Sequence, residues 1–400
     1  MIDRAMGRCE GLPTSLLDAS LREEALALLL ELIRTPSMNP PGNEDRIAEV
    51  IEAFLSRHGI EAERIPLEAG RSSIVARIQG SRQGSVVLCG HLDTVRADDA
   101  AWHAPPLEPR VEGGRVQGLG AADMKGGLVV MLLIARLVAE RRLRPSHALT
   151  LVFTADEEGG YRGAETVARS GRLDDAKLLV ILEPTDGEVY LGQKGELWIE
   201  VTFSGAEAHG SCPELGASAI LSASAFCTTL TDAVSRLPEV PERGRTTLNI
   251  GTFHGGRRVN IVPDRASVSL DLRVVTREDR SRVLQLVERL ADEAARSHGT
   301  SFTRRILHDS VPIISEAAHP AVRGFLARLA EVSNRSPNPR IAPYATDAVA
   351  IVPTLGIPVI LFGPGHIAQA HRPDEYLALD SLFRTAEQLA HILDFSDESG

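Results

Sequence analysis

Cysteine is scarce, with four residues in 400, and the four are scattered at Cys9, Cys89, Cys212 and Cys227. No C-x-x-C pair occurs, so neither a disulfide framework nor a cysteine-ligated zinc site is indicated, and a reducing cytosol is the compartment expected. There is no long hydrophobic run. The most apolar stretch, Leu128 to Ala135, is broken by Arg136 and falls far short of a membrane span. The N-terminus carries Asp3, Arg4, Arg8 and Glu10 and lacks the apolar region of a secretory signal, which again points to a cytoplasmic protein. Basic excess is absent too: 43 Lys and Arg stand against 54 Asp and Glu, a formal charge of −11. That balance argues against nucleic acid or an anionic membrane as partner. No repeat and no low-complexity tract is found. The Gly-rich segment at Gly118–Gly127 is neither G-x-G-x-x-G after a strand nor G-x-x-x-x-G-K-[ST], so phosphate binding there is not expected.

What remains is the composition of a globular enzyme, 43% hydrophobic and 24% charged, in a chain long enough for two domains. Residues 20–34 and 43–58 read as helices, separated by Pro36, Pro40, Pro41 and Gly42. Four short runs, 85–89 (SVVLC), 149–154 (LTLVFT), 178–182 (LLVIL) and 358–362 (PVILF), are rich in Val, Ile and Leu and end abruptly. They suit central strands of a covered, mainly parallel sheet. Helical patterns between them, at 124–142 and 163–170, complete an α/β domain with helices on both faces. The stretch from about 196 to 307 reads differently. Its order is strand, helix (217–237), strand (246–253), strand (266–275), charged helix (277–297) and strand (301–307). This βαββαβ order predicts an inserted α+β domain. The expected division is 1–194 and 309–400 for the catalytic domain and 195–308 for the insertion.

The chemistry gathers where open α/β sheets place their sites, beyond the carboxyl ends of the strands. SVVLC is followed by Gly90-His91-Leu92-Asp93, LTLVFT by Asp156-Glu157-Glu158, LLVIL by Glu183, and PVILF by Gly-Pro-Gly and then His371. Four strand ends bearing His, Asp and Glu, with almost no Lys or Arg among them, read as a cation site. Two imidazoles with several carboxylates and no thiolate suit Zn, Mn or Co better than Mg or Ca. Asp93, two residues past His91, is placed to hold the second imidazole nitrogen. Neighbouring Glu157 and Glu158 point different ways, so one can bind metal while the other faces an attacking water as general base. Asp123, before an apolar helix, reads from its position alone equally as an N-cap. His366 rivals His371 as a ligand from the same loop.

Taken together and in order, Gly90–Asp93, Gly118–Gly127, Asp156–Glu158, Glu183-Pro-Thr and Gly363-Pro-Gly…Gln369-Ala-His371-Arg-Pro-Asp-Glu-Tyr376 resemble the M20 family of co-catalytic metallopeptidases and deacylases. The resemblance runs from about Leu26 to Leu389. In the insertion it takes in Gly205–Ser211, Thr247–Gly251, Asn260–Pro263 and Asp271–Arg273. The final motif is most similar to the acetylornithine deacetylase and succinyl-diaminopimelate desuccinylase branch.

The resemblance implies two divalent metal ions, zinc first and cobalt or manganese as alternatives. Asp123 bridges them, His91 and Glu183 complete one site, and Glu158 and His371 complete the other. It makes Glu157 the general base, Asp93 the residue that orients His91, and His209 an oxyanion donor, often from a second subunit. Asn260 and Arg273 become substrate contacts, the arginine suited to a carboxylate. The implied activity is hydrolysis of an N-acyl amino acid, with a carboxypeptidase or dipeptidase as the alternative and a non-catalytic metal-binding protein as a third reading. A homodimer through the inserted lid domain is also implied. Leu119 departs from the Gly-Arg-Gly form common in relatives and removes a positive contact. Tyr344–Ala348 matches a substrate-side segment that varies among subfamilies.

Overall fold

The computed structural model describes residues 15–394. Cys9 and the charged N-terminal residues on which the absence of a signal was read lie outside that range. Chain contacts divide the protein into two compact units. The smaller comprises Gln193–Ile313 and Ile341–Ala345, and the larger holds the rest. The joins therefore lie at 192/193 and 313/314, and 341–345 fall with the smaller unit.

In the larger unit the strands run β1 (Ala62–Glu68), β2 (Arg71–Ile78), β3 (Arg82–His91), β4 (Arg110–Glu112), β5 (Arg115–Gln117), β6 (His147–Thr154), β7 (Ala176–Ile181) and β8 (Tyr190–Gln193). The smaller unit contributes β9 (Gly195–Ser204), β10 (Thr247–Gly255), β11 (Arg265–Val274) and β12 (Ser301–Asp309). The chain ends with β13 (Ile313–Ile314), β14 (Arg340–Ala342), β15 (Val359–Leu361) and β16 (Tyr376–Ala378).

The main sheet has the order β1-β2-β6-β3-β7-β15-β8-β13. Its centre is parallel, β6 to β3, β3 to β7 and β7 to β15. Its flanks are antiparallel, with the β1–β2 hairpin joined to β6 on one side and β8 to β15 on the other. The sheet is thus mixed with a mostly parallel core. The hairpin escapes a sequence reading because β1 has a single buried residue, Ile65, among exposed and half-buried ones beside Pro66, and β2 opens with buried Arg71, Ser72 and Ser73 before its three-residue apolar run Ile74 to Ala76. Helices 19–34, 45–57, 126–139 and 379–393 pack together on one side of this sheet, and helices 162–169 and 348–355 pack on the other. Gly126–Ala139 is apolar nearly all round because almost every residue of it is buried. A Cβ at Gly127 would lie 2.3 Å from the Leu182 carbonyl oxygen, so only glycine lets this helix approach the end of β7. None of the described helices is long and apolar enough to cross a membrane.

The smaller unit is a four-stranded antiparallel sheet, β10-β11-β9-β12, carrying helices Ala219–Ser235 and Arg277–Ser297. Inward residues of β9 and β11, Leu197, Ile199, Val201, Phe203, Ala266, Val268, Leu270 and Leu272, form its core with Phe226, Leu230, Val283 and Val287. Phe203 meets Phe226 and Phe302 with ring centroids 5.7 and 6.3 Å away. The outward residues Trp198, Phe253 and Ile306 stay exposed, as in a sheet with one covered face. Ser218 and Thr276 cap the two helices through side-chain bonds to Leu221 and Asp279 N–H groups.

Candidate metal centre

His91 is the last residue of β3, and Glu183 and the Asp156–Glu158 run begin two residues past β7 and β6. The parallel pairing of these strands brings their ends level, so distant sequence positions converge. His91 Nε2 lies 3.0 Å from Asp123 Oδ1 and 4.0 Å from Glu183 Oε1. His371 Nε2 lies 3.0 Å from Glu158 Oε1 and 3.5 Å from Asp123 Oδ2. Two donor triads result, His91–Asp123–Glu183 and Asp123–Glu158–His371, each with its ligand atoms within 4.8 Å of one another. Asp123 belongs to both and presents a different oxygen to each histidine. A third grouping, His91–Glu157–Glu158, places Glu157 beside the pair. Among the described residues no Lys or Arg forms an ion pair with Asp123, Glu157, Glu158 or Glu183, whose only such partners are His91 and His371.

Negative charge gathered in little water shifts Glu157, Glu183 and both histidines. Burial, reinforced by Glu158 and Glu183, pushes the Glu157 carboxyl well above its ordinary range, and burial with Asp123 does the same to Glu183. Burial pulls the His91 imidazole down, but its bond to Asp123 and the nearby carboxylates outweigh this and raise it well above its usual value. The Glu158 hydrogen bond raises His371 to about 9. The surrounding carboxylates thus favour the protonated form of both imidazoles. Divalent ions fit the same donors, two imidazoles and three carboxylates arranged as two triads with a shared bridge, and would replace those protons.

Asp93 is placed differently from the sequence expectation. His91 Nδ1 bonds the Asp93 backbone carbonyl at 2.8 Å, while the carboxylate Oδ1 stands off at 3.8 Å. That carboxylate instead accepts the N–H groups of Glu157 and Glu158, both at 3.1 Å, and the Asn39 amide at 2.9 Å. It therefore holds the backbone that carries the two glutamates. Asp156, a silent member of the acidic triplet, turns away with φ of +66°. Its carboxylate accepts from Asn39, Arg71 and Arg162. Arg71 also grips Glu44 through two bonds, of 2.6 and 2.8 Å. Asn39, Glu44 and Arg71 were invisible to sequence reasoning, since none lies in a recognisable motif. Asp347, in the Tyr344–Ala348 segment, is buried against Thr154, and burial raises it to about 6. His366 stays out of the donor groups, and its Nδ1 accepts the Ala368 N–H as the cap of a short turn.

His209 and Asn260 come together in the smaller unit. Gly210 N–H bonds the Asn260 carbonyl at 2.8 Å, and His209 bridges to Ile261. Both side chains are exposed. Arg273 does not join them. It sits at the far end of β11, eight residues beyond Arg265 and so about 26 Å along the strand. There its guanidinium pairs with Glu196 and with Asp271. The sequence could not show that pairing, because Glu196 is brought opposite by the β9–β11 register.

A cavity of about 520 Å³ opens at the opposite ends of the strands, lined by Val86, His147, Leu178 and Pro358, with no member of the donor set. Chemistry and not cavity size therefore locates the site.

Comparison with known proteins agrees with this geometry. A protein from Staphylococcus epidermidis described as "Probable succinyl-diaminopimelate desuccinylase" is 27% identical, covering 90% of this chain and 94% of its own. An acetylornithine deacetylase from Myxococcus xanthus is 32% identical, covering 85% of each. Among solved structures, a tripeptidase from Staphylococcus aureus shares the fold, with a TM-score of 0.78 at 24% identity over 93% of this chain and 98% of that one. The family pattern of "Peptidase family M20/M25/M40" matches residues 87–394, which span every donor named above, and the chain belongs to that family of hydrolases.

Proposed function

We propose that the protein is a metal-dependent amidohydrolase that cleaves the amide of an N-acyl amino acid. The observation that carries this reading is the pair of donor triads sharing Asp123. His91, Asp123 and Glu183 would hold one divalent ion, and Asp123, Glu158 and His371 the second. Zinc suits two imidazoles and three carboxylates, and cobalt or manganese would serve the same donors. When bound, such ions polarise the amide carbonyl and lower the pKa of water towards about 7.

The chain's own residues do the rest. Glu157 completes neither triad, lies partly buried beside His91 and Glu158, and is the general base. It takes the proton of the attacking water and passes it to the leaving nitrogen. Its place beside both triads but in neither suits a group that carries that proton from water to nitrogen. Asp93 fixes the Glu157–Glu158 backbone through its two N–H bonds. His209 is proposed as the oxyanion donor and Asn260, its neighbour, as a substrate contact. Arg273 is occupied by Glu196 and Asp271 and is left out of the proposed substrate contacts by that pairing. The relatives named as deacetylase and desuccinylase support an acyl amino acid as substrate. A homodimer through the sheet of the smaller unit is proposed from the exposed edge strand β10.

The test is turnover by metal-stripped protein with Zn, Co or Mn restored stepwise. The substrates are acetylornithine, acetylmethionine, succinyl-diaminopimelate and several dipeptides. Metal-dependent release of a free amino acid from one acyl substrate is the expected result. Cleavage of dipeptides alone would move the reading to a peptidase, and metal binding without any turnover would remove catalysis from it.

A further inference from the structure

Glu375 follows His371 by four residues and has no part in the chemistry above. Its side chain is almost wholly buried, at 2% exposure. One carboxylate oxygen accepts the Gly120 N–H at 2.7 Å. The other accepts the N–H groups of Ala122 at 2.7 Å and Asp123 at 2.9 Å. Its backbone carbonyl accepts Gly118 N–H at 2.9 Å. Four bonds from one residue thus gather the 118–123 loop, and the next residues, β16, pair with β5 just before that loop. Gly120, at φ of +77°, gives the loop the turn that aims successive N–H groups at one anion. Nearby, buried Lys125 donates to the Thr35 carbonyl at 3.2 Å and does not pair directly with Glu375.

The consequence is geometric. Asp123 sits at one end of this clamp, and its own N–H is one of the bonds. His371 sits at the other, on a loop, with φ of +56° and a side chain 54% exposed. Of the five donors it has the least packing to hold it, and Glu375 is the nearest wholly buried anchor along the chain. We infer that Glu375 is a positioning residue that sets the spacing between Asp123 and His371, and with it the metal affinity of the Asp123–Glu158–His371 site. The inference rests on the reading of those residues as metal donors. A carboxylate is required because three N–H donors converge on two acceptor oxygens. A carboxamide offers one oxygen and would turn an NH2 towards an N–H.

The experiment uses the full chain, metal-stripped, with E375Q and His371→Ala. Amide exchange of the 118–125 segment reads the clamp without metal, and E375Q should speed it while leaving other segments protected. Zinc titration against a competing chelator reads the sites separately, since the step lost in His371→Ala identifies the site holding His371. E375Q should weaken that step by about 10–100-fold, the range for residues that orient a ligand without touching the metal. In the His371→Ala background its effect on the remaining site should be smaller than on the His371 step, since that site keeps Asp123 but does not depend on the spacing to His371. Faster exchange with both affinities unchanged would overturn the inference, because Glu375 would then only brace the loop. Wild-type protein that binds no zinc would instead remove the metal-centre reading itself. If E375Q fails to fold, E375D keeps the charge but shortens the reach, and the same loss of the His371 step is expected. Wild-type affinity in that variant also overturns the inference.

Discussion

Replacing Arg71 by Met tests whether the buried charge network behind the glutamates is held by one residue. Arg71 side-chain exposure is 6% and that of Glu44 is 0%, and they meet through bonds of 2.6 and 2.8 Å. A further bond of 2.7 Å reaches Asp156. Those bonds hold the guanidinium proton affinity well above its ordinary value, the Glu44 bond foremost against the cost of burial. Without Arg71, Glu44 keeps only the Asp156 N–H at 3.2 Å, while Asp156 keeps Asn39 and Arg162. A buried carboxylate left without its cation costs about 3–5 kcal/mol. The melting temperature should fall on the order of 10 °C. Arg162→Met is the control, because its bond to Asp156 is as short, 2.7 Å, but its side chain is 48% exposed, and such pairs contribute at most about 1 kcal/mol. The double variant Arg71→Met with Glu44→Gln should recover part of the loss, since no uncompensated charge remains. Urea and thermal unfolding of the four proteins provide the measurement. An Arg71→Met protein within about 1 kcal/mol of wild type, or no less stable than Arg162→Met, would refute the assignment of this network to a buried, single-cation core.

Glu157→Gln should keep both metals, measured by elemental analysis, and lower kcat by about 100-fold or more, so full activity would remove Glu157 as base. His371→Ala should lose one metal equivalent, whereas His366→Ala should keep both and lose about 1 kcal/mol of stability at most from its capping bond. Phe203→Ala removes a fully buried ring that meets two others at a tilt and should cost the smaller unit about 3–5 kcal/mol, read by unfolding, while zinc titration should still find both sites because every proposed donor lies in the larger unit. His209→Ala should lower kcat with little change in KM for the acyl substrate, and equal losses in both would point to substrate binding instead.

The parallel core was legible because runs such as LTLVFT and LLVIL are buried on both faces, which only a covered sheet explains. The βαββαβ order of the smaller unit was legible for the same kind of reason, since alternation at period two and stripes at period 3.6 are local properties. The residues proposed as donors stood out locally as well, since His91, Glu158, Glu183 and His371 follow or end apolar strand runs, whereas Asp123 was marked only by the resemblance to the family. Other features depended on distance in the chain. Arg71 meets Glu44 and Asp156 across separations of 27 and 85 residues, and Glu375 meets Asp123 across 252. Nothing local marks a buried arginine as a partner in advance. The role of the Asp93 carboxylate turned on which of two nearby acceptors faced the imidazole, a matter of side-chain direction that spacing does not encode. The partner of Arg273 could not be named from the sequence, because strand register, set by which face each strand must bury, brings Glu196 opposite it. Residue types and their order therefore determined the kind of chemistry, and packing alone decided which side chains support it.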